Sequence, residues 1–198
     1  MPRRPRETRA GVYHVTTRAA DGERLFRDDH DYLRFETEVE RILSPECTCI
    51  AACALGTHYH LVLHVEDGVL PTVVHRLNSR YAGVYKARYG RRGHVYSERY
   101  TSVLVESDEH LLTVFRYVAR NPVHAGLCEL PEDWVWSSYR SAVGLDGGRF
   151  TFCDASLVIA ACDGSVEQLR RLCEAPWESD KTAGPGPAVA GPGPRRVR

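Results

Sequence analysis

Thr48-Cys-Ile-Ala-Ala-Cys-Ala-Leu-Gly-Thr-His-Tyr-His-Leu-Val-Leu-His-Val65 decides the fold, because it reads as two strands, Thr48 to Leu55 and His58 to Val65, with only Gly56-Thr57 between them. So short a connection is that of an antiparallel hairpin. Side chains alternate along a strand and each residue advances about 3.3 Å, so His58 and His60 share one face about 6 to 7 Å apart. That is chelating distance for one divalent ion. Leu61, Leu63 and Val65 point to the other face, where helices would cover them. Taken alone, the pair is more readily read as two partly exposed polar residues.

Working outward, Gly11 to Arg18 is rich in β-branched and aromatic residues and reads as a first strand. Asp28 or Asp29 then caps a helix with apolar positions at Tyr32, Leu33, Phe35, Val39, Ile42 and Leu43, which Ser44-Pro45 stops. After the hairpin, a helix starting near Pro71 carries Val74, Leu77, Tyr81, Val84 and Tyr85 on one face, with Arg76, Arg80 and Arg88 elsewhere on the cylinder. Gly90-Arg-Arg-Gly93 breaks it. His94 to Glu106 is extended, and Ser107-Asp108-Glu109 caps a further helix that Asn121-Pro122 is expected to end.

The first six elements follow the split βαβ pattern of an α+β, ferredoxin-like (RRM-like) sandwich, an antiparallel sheet with helices on one face. Pro131 to Leu145, with Trp134, Trp136 and Tyr139, reads as a clamp packed back on that core. Ser156 to Ala161 and Ser165 to Glu174 read as short helices of a C-terminal helical extension over residues 146–178. The Gly-Pro repeats and arginines of 179–198 cannot bury apolar area and are expected to be disordered.

A chain of 198 residues, 43% hydrophobic, can bury one real core. Formal charge is balanced, with 26 basic and 26 acidic side chains, so the whole molecule does not announce a nucleic-acid partner. The distribution is less even. Basic residues gather in the arm 1–10 (Arg3, Arg4, Arg6) and between Lys86 and Arg99. Seven cysteines without repeated paired spacing fit a reducing cytoplasm. Cys47, Cys49 and Cys53 share strand parity but lack partners of zinc-finger spacing, and read as small buried residues. No apolar run approaches the roughly 20 residues of a membrane span.

Tyr117 and Asn121 lie i, i+4 on the last core helix and so share a face. If that face looks onto the one carrying His58 and His60, two imidazoles, an amide oxygen and a phenol meet in one cleft. Without the histidines, a half-buried ring and a helix cap would explain Tyr117 and Asn121. A phenol of ordinary pKa, about 10, is a poor nucleophile at neutral pH unless its anion is stabilised. Mg²⁺ or Mn²⁺, held by two His and one amide oxygen with positions left open, would polarise a phosphate beside it. Tyr59 points away by parity and reads as packing. His64 shares the parity but lies about 13 Å from His60, outside any first ring of ligands. Tyr85, Tyr89, Arg91, Arg92, Tyr96, Arg99 and Tyr100 interleave rings and cations, which suits single-stranded nucleic acid, and reads alternatively as a solvated loop over core tyrosines.

These residues resemble a known family, the single-tyrosine transposases of the HUH nuclease class, and most closely the REP-associated tyrosine transposases. The resemblance runs from Tyr13 to Tyr139 and is carried in order by Tyr13-His-Val-Thr-Thr-Arg18, Leu25-Phe-Arg-Asp-Asp29, Thr57-His-Tyr-His-Leu61, Gly93-His-Val-Tyr96, Tyr117-Val-Ala-Arg-Asn-Pro-Val-His-Ala-Gly126 and Trp136-Ser-Ser-Tyr139. It implies a catalytic domain over 11–145, with Tyr117 as nucleophile and His58, His60 and Asn121 as ligands of Mg²⁺ or Mn²⁺. It further implies cleavage of single-stranded DNA near a hairpin, with the tyrosine joined to the 5′ phosphate and a 3′ hydroxyl left free. Where the family usually has Pro-Asn before the first histidine, this chain has Gly56-Thr57. Expected nucleic-acid contacts are Arg3, Arg4, Arg6, Arg18, Arg91, Arg92, Tyr96, Arg99 and Arg120. The expected setting is a monomer, a dimer being the alternative, on nucleoid DNA in the cytoplasm. Two other function classes stay open: a catalytically silent module for single-stranded DNA or RNA, and a metal-dependent nuclease that uses water instead of Tyr117.

Overall fold

The computed structural model describes residues 9–175. The basic arm with Arg3, Arg4 and Arg6, and the tail from residue 176 onward, lie outside the described residues. In chain order the elements are β1 (Gly11–Arg18), α1 (Asp29–Leu43), β2 (Thr48–Leu55), β3 (His58–Val65), α2 (Val69–Tyr89), β4 (Thr101–Val105), α3 (Asp108–His124), α4 (Tyr139–Ala142), α5 (Ser156–Ala161) and α6 (Val166–Glu174). The sheet runs β2-β3-β1-β4 with every neighbouring pair antiparallel, the ferredoxin-like arrangement the element order predicts.

Alternation along the strands builds two cores. Tyr13 and Val15 of β1, with Tyr59, Leu61 and Leu63 of β3, pack against Phe35 and Val39 of α1 and Leu77 and Tyr81 of α2. Ile50, Cys53 and Leu55 of β2, with Val62 of β3, meet Val114, Phe115 and Val118 of α3 and Leu169 of α6 on the opposite face. The expected pair of helices therefore covers one face, and α3 with the C-terminal helices covers the other. A β-bulge at Cys49/Ala51 lets Ile50 and Ala51 turn to the same side. It also breaks the parity expected of the cysteines, since Cys49 joins the first core and Cys53 the second.

Helix ends follow side-chain and backbone capping. Asp28 accepts from the amide of Asp31 at the start of α1, and Ser107 accepts from the amide of His110 at the start of α3. The end of α3, expected approximately at Asn121-Pro122, falls two residues later: the helix continues through Pro122 to His124. Pro122 sits in the last turn, so the absent N–H forfeits a single hydrogen bond. The actual stop is Gly126, at φ +67°, whose amide donates to Val123 O while that of Leu127 donates to Pro122 O, a Schellman closure that left-handed glycine permits.

The Trp-rich clamp closes the edge of β2. Ala54 donates to Trp136 O, Ser138 donates to Ala52 O, and the Trp134 indole donates to Ala54 O. Trp136 stacks on Tyr32, centroids 4.6 Å apart. An edge that would otherwise offer bare backbone groups is thereby paired.

Candidate active site

The site forms where β1 and β3 lie side by side beneath α3. In their register Thr16 sits opposite His60 and Arg18 opposite His58, with His14 two residues further along the same face of β1. His58, His60 and Asn121 are buried, at 4%, 0% and 3% exposure. The Tyr117 ring stands edge-on to both His60 and His14, with centroids 5.5 and 5.7 Å away. His58 and His60 are themselves edge-to-face at 5.0 Å.

In both His58 and His60 one ring nitrogen is engaged and the other is bare. Nδ1 of His58 lies 3.0 Å from Thr57 Oγ1, and Nδ1 of His60 lies 3.0 Å from both Thr16 Oγ1 and His14 Nε2. Among the described residues, the Nε2 atoms of His58 and His60 are shut off from solvent with no hydrogen-bond partner, and so is Nη2 of Arg18. A buried donor or acceptor left without a partner costs about 1–3 kcal/mol. Such a cluster therefore asks for a ligand.

Burial keeps the imidazoles neutral. His58 is pushed down to about 4 by burial first and then by the Arg18 guanidinium, with the neighbouring Asn121 carboxamide acting in the opposite sense. His14 is pushed down to about 4 by burial and then His110. His60 is lowered by burial, then by His14, His58 and Arg18. A metal ligand must be an unprotonated imidazole, and bare Nε2 atoms beside an amide meet that need. Two nitrogens and one oxygen suit Mn²⁺ better than Mg²⁺, which prefers oxygen throughout.

A second group of potential ligands, Asp28, His30 and Asp31, lies at the start of α1. Its carboxylates are already neutralised: Arg88 pairs with both Asp28 and Asp31, and Asp31 also accepts from the amide of Arg27 and the hydroxyl of Tyr89. A cation there would have to displace a guanidinium, so the group reads as a structural ion cluster.

The other expected contacts divide. Arg18 joins the histidines, and Arg92 and Arg99 are exposed. Arg120 is corrected: it is buried and donates to the carbonyls of Cys173 and Glu174, which ties α3 to the end of α6 and removes it from any DNA surface. Arg91 is paired with Asp21 and Glu23 and donates to His94 O. Tyr96 is bridged to Ala19 through its backbone, and its enclosed hydroxyl is pushed upward in pKa by burial. Tyr85 and Tyr89 serve an internal network: Tyr85 donates to Arg24 O and Arg27 lies 4.2 Å above the Tyr89 ring. A cavity of about 430 Å³ between α2 and the 94–100 connection is lined by Lys86 and Arg99 but by no residue of the histidine cluster. Sequence reasoning assigned no role to His14 and Thr16, although their parity on β1 matched that of His58 and His60 on β3; only the register between the strands joins the two sets.

No family model matches the chain. No curated protein matches it. Among solved structures it is similar to a REP-associated tyrosine transposase bound to a REP hairpin, with a TM-score of 0.60 at 16% identity over 73% of this chain and 86% of that one. It is also similar, with a TM-score of 0.43 at 14% identity over 60% of this chain and 95% of that one, to a protein of Deinococcus radiodurans R1 provisionally assigned as a transposase. What this chain shares at such identity is the fold, and that fold is the one seen in a REP-associated tyrosine transposase.

Proposed function

We propose that the protein is a metal-dependent endonuclease and strand transferase acting on single-stranded DNA beside a hairpin, with Tyr117 as nucleophile. The observation that carries this reading is the pair of buried Nε2 atoms of His58 and His60, without partners among the described residues, with the Tyr117 ring edge-on to the His60 ring. The shared fold supports it, since the neighbour of that fold is a transposase bound to a REP hairpin.

His58, His60 and Asn121 would hold Mn²⁺ or Mg²⁺, which when bound supplies Lewis-acid polarisation of the scissile phosphate. Tyr117 Oη forms a bond to phosphorus as the bond from phosphorus to the 3′ oxygen breaks. The phenolic proton leaves to solvent, and the departing oxygen takes a proton to become a free 3′ hydroxyl. Rejoining is the same exchange run backwards with another 3′ hydroxyl. The bare Nη2 of Arg18 directs positive charge at a phosphate that enters the cluster. Action as a monomer on nucleoid DNA in the cytoplasm belongs to the same reading; among the described residues no helix is long and apolar enough to cross a membrane.

The test is incubation with labelled hairpin oligonucleotides and Mn²⁺ or Mg²⁺, followed by a denaturing gel. A covalent adduct formed by the parent and absent from Tyr117→Phe is the expected result. Cleavage that survives in Tyr117→Phe identifies a water nucleophile instead, and binding without cleavage identifies a silent module.

A further inference from the structure

His60 is fully enclosed, so the placement of its single proton is decided by neighbours and not by water. For Nε2 to present a lone pair to the site, Nδ1 must carry the hydrogen, and a buried N–H needs an acceptor. Two atoms lie 3.0 Å from Nδ1: Nε2 of His14 and Oγ1 of Thr16. The His14 and His60 rings are inclined by only 23° with centroids 5.1 Å apart. With the nitrogens 3.0 Å apart, the rings meet edge to edge and nearly in plane, the geometry of an N–H···N hydrogen bond and not of face-to-face stacking.

We propose that His14 is a positioning residue: its Nε2 accepts the Nδ1–H of His60 and locks the tautomer that leaves Nε2 of His60 bare toward the cleft. An outer partner of a metal-binding histidine is commonly a carboxylate or a carbonyl, and here a second imidazole takes that place. Thr16 Oγ1, 3.5 Å from His14 Nε2 as well, then supports the pair with its rotatable hydroxyl. Its own alternation explains the arrangement: His14, Thr16 and Arg18 occupy one face of β1, and the antiparallel register brings Thr16 opposite His60, with His14 one pleat along. The consequence for metal binding rests on the proposed function, whereas the tautomer does not.

Two readouts test it, neither of them activity. Side-chain ¹⁵N spectra of the metal-free protein, with the His60 signals identified by their loss in His60→Gln, should report the Nδ1–H tautomer in the parent and in His14→Gln, whose amide oxygen restores an acceptor. In His14→Phe the Nε2–H tautomer should appear. Calorimetric titration with Mn²⁺ should show affinity lower by about 10- to 100-fold in His14→Phe, restored in part by His14→Gln and changed less than about threefold in Thr16→Val, a loss of one neutral hydrogen bond. His60 found as the Nε2–H tautomer in the parent overturns the assignment even if no variant folds. A tautomer shifted by Thr16→Val and not by His14→Phe overturns it too. If the parent shows the Nδ1–H tautomer, His14→Phe shifts it, and Mn²⁺ does not bind, the role of His14 stands and the metal reading fails.

Discussion

Glu38 and His60 are both enclosed polar residues, at 1% and 0% exposure, and the chain treats them in opposite ways. Glu38 on α1 receives Arg34 at 2.8 Å, Arg41 at 2.6 Å and Arg80 of α2 at 3.3 Å, so its carboxylate is fully paired by groups that themselves reach water. His60, across the sheet, keeps one nitrogen bare, as do His58 and Arg18 beside it. The first arrangement fastens two helices together; the second holds unmet hydrogen-bonding capacity at one end of two strands. Among the described residues, buried atoms without a partner also occur on Tyr96 and Tyr139, but His58, His60 and Arg18 bring three of them together on two neighbouring strands.

The largest expected effect tests the unpaired side directly. His60→Phe should abolish Mn²⁺ binding and reduce adduct formation at least about 1000-fold, while the thermal midpoint moves by only a few degrees, because loss of the Nδ1 contacts to His14 and Thr16 is offset by removing a buried Nε2 that lacks a partner among the described residues. A protein that no longer folds after this change would show that the ring is held for stability, through the Nδ1 contacts to His14 and Thr16, and the contrast with Glu38 would collapse.

Acid gives the next effect. His14 and His58 are held at about 4 by burial, below the ordinary histidine value of 6.5, so the unfolded chain takes up their protons first as pH falls. Stability from these groups is complete above about pH 6.5 and is lost as pH drops toward 4, on the order of 2 kcal/mol for each at pH 5. Chemical denaturation at pH 7 and pH 5 measures it, and replacing both histidines with phenylalanine should flatten the slope. Glu38→Gln should act on the paired side alone, removing the charge that holds three guanidiniums, for a loss of about 2 kcal/mol with cleavage unchanged.

The sheet was legible because its signals are local. Gly56-Thr57 between alternating arms places both strands of the hairpin, and Asp28 and Ser107 mark helix starts by their own side chains. What escaped depended on distant partners. Nothing near Cys49 announces the bulge that turns Cys53 to the other core, and Pro122 reads as a stop until Gly126 is seen to supply a better one. The candidate site was legible in half: His58 and His60 stand two residues apart in one strand, but His14 and Thr16 reach them only through a pairing 44 and 46 residues long in sequence. Charge misled most, because Arg91 and Arg120 look available in a sequence and are bound to protein in the fold.

That last difference leads to the smallest prediction. Arg18 and Arg91 are both arginines expected on the nucleic acid, but Nη2 of Arg18 has no partner among the described residues and Arg91 lies between Asp21 and Glu23. A guanidinium without an anion gains a charge-assisted hydrogen bond when a phosphate arrives; one already paired must first lose two carboxylates. Arg18→Ala should therefore weaken binding of a single-stranded oligonucleotide about tenfold and make the dependence on salt shallower by about 0.7 in the log–log slope, the release expected for one phosphate contact. Arg91→Ala should change affinity less than about twofold and leave that slope alone, since its charge is already met by Asp21 and Glu23. Equal effects of the two would mean that the protein's overall field, and not the unpaired cluster beside Tyr117, attracts the strand.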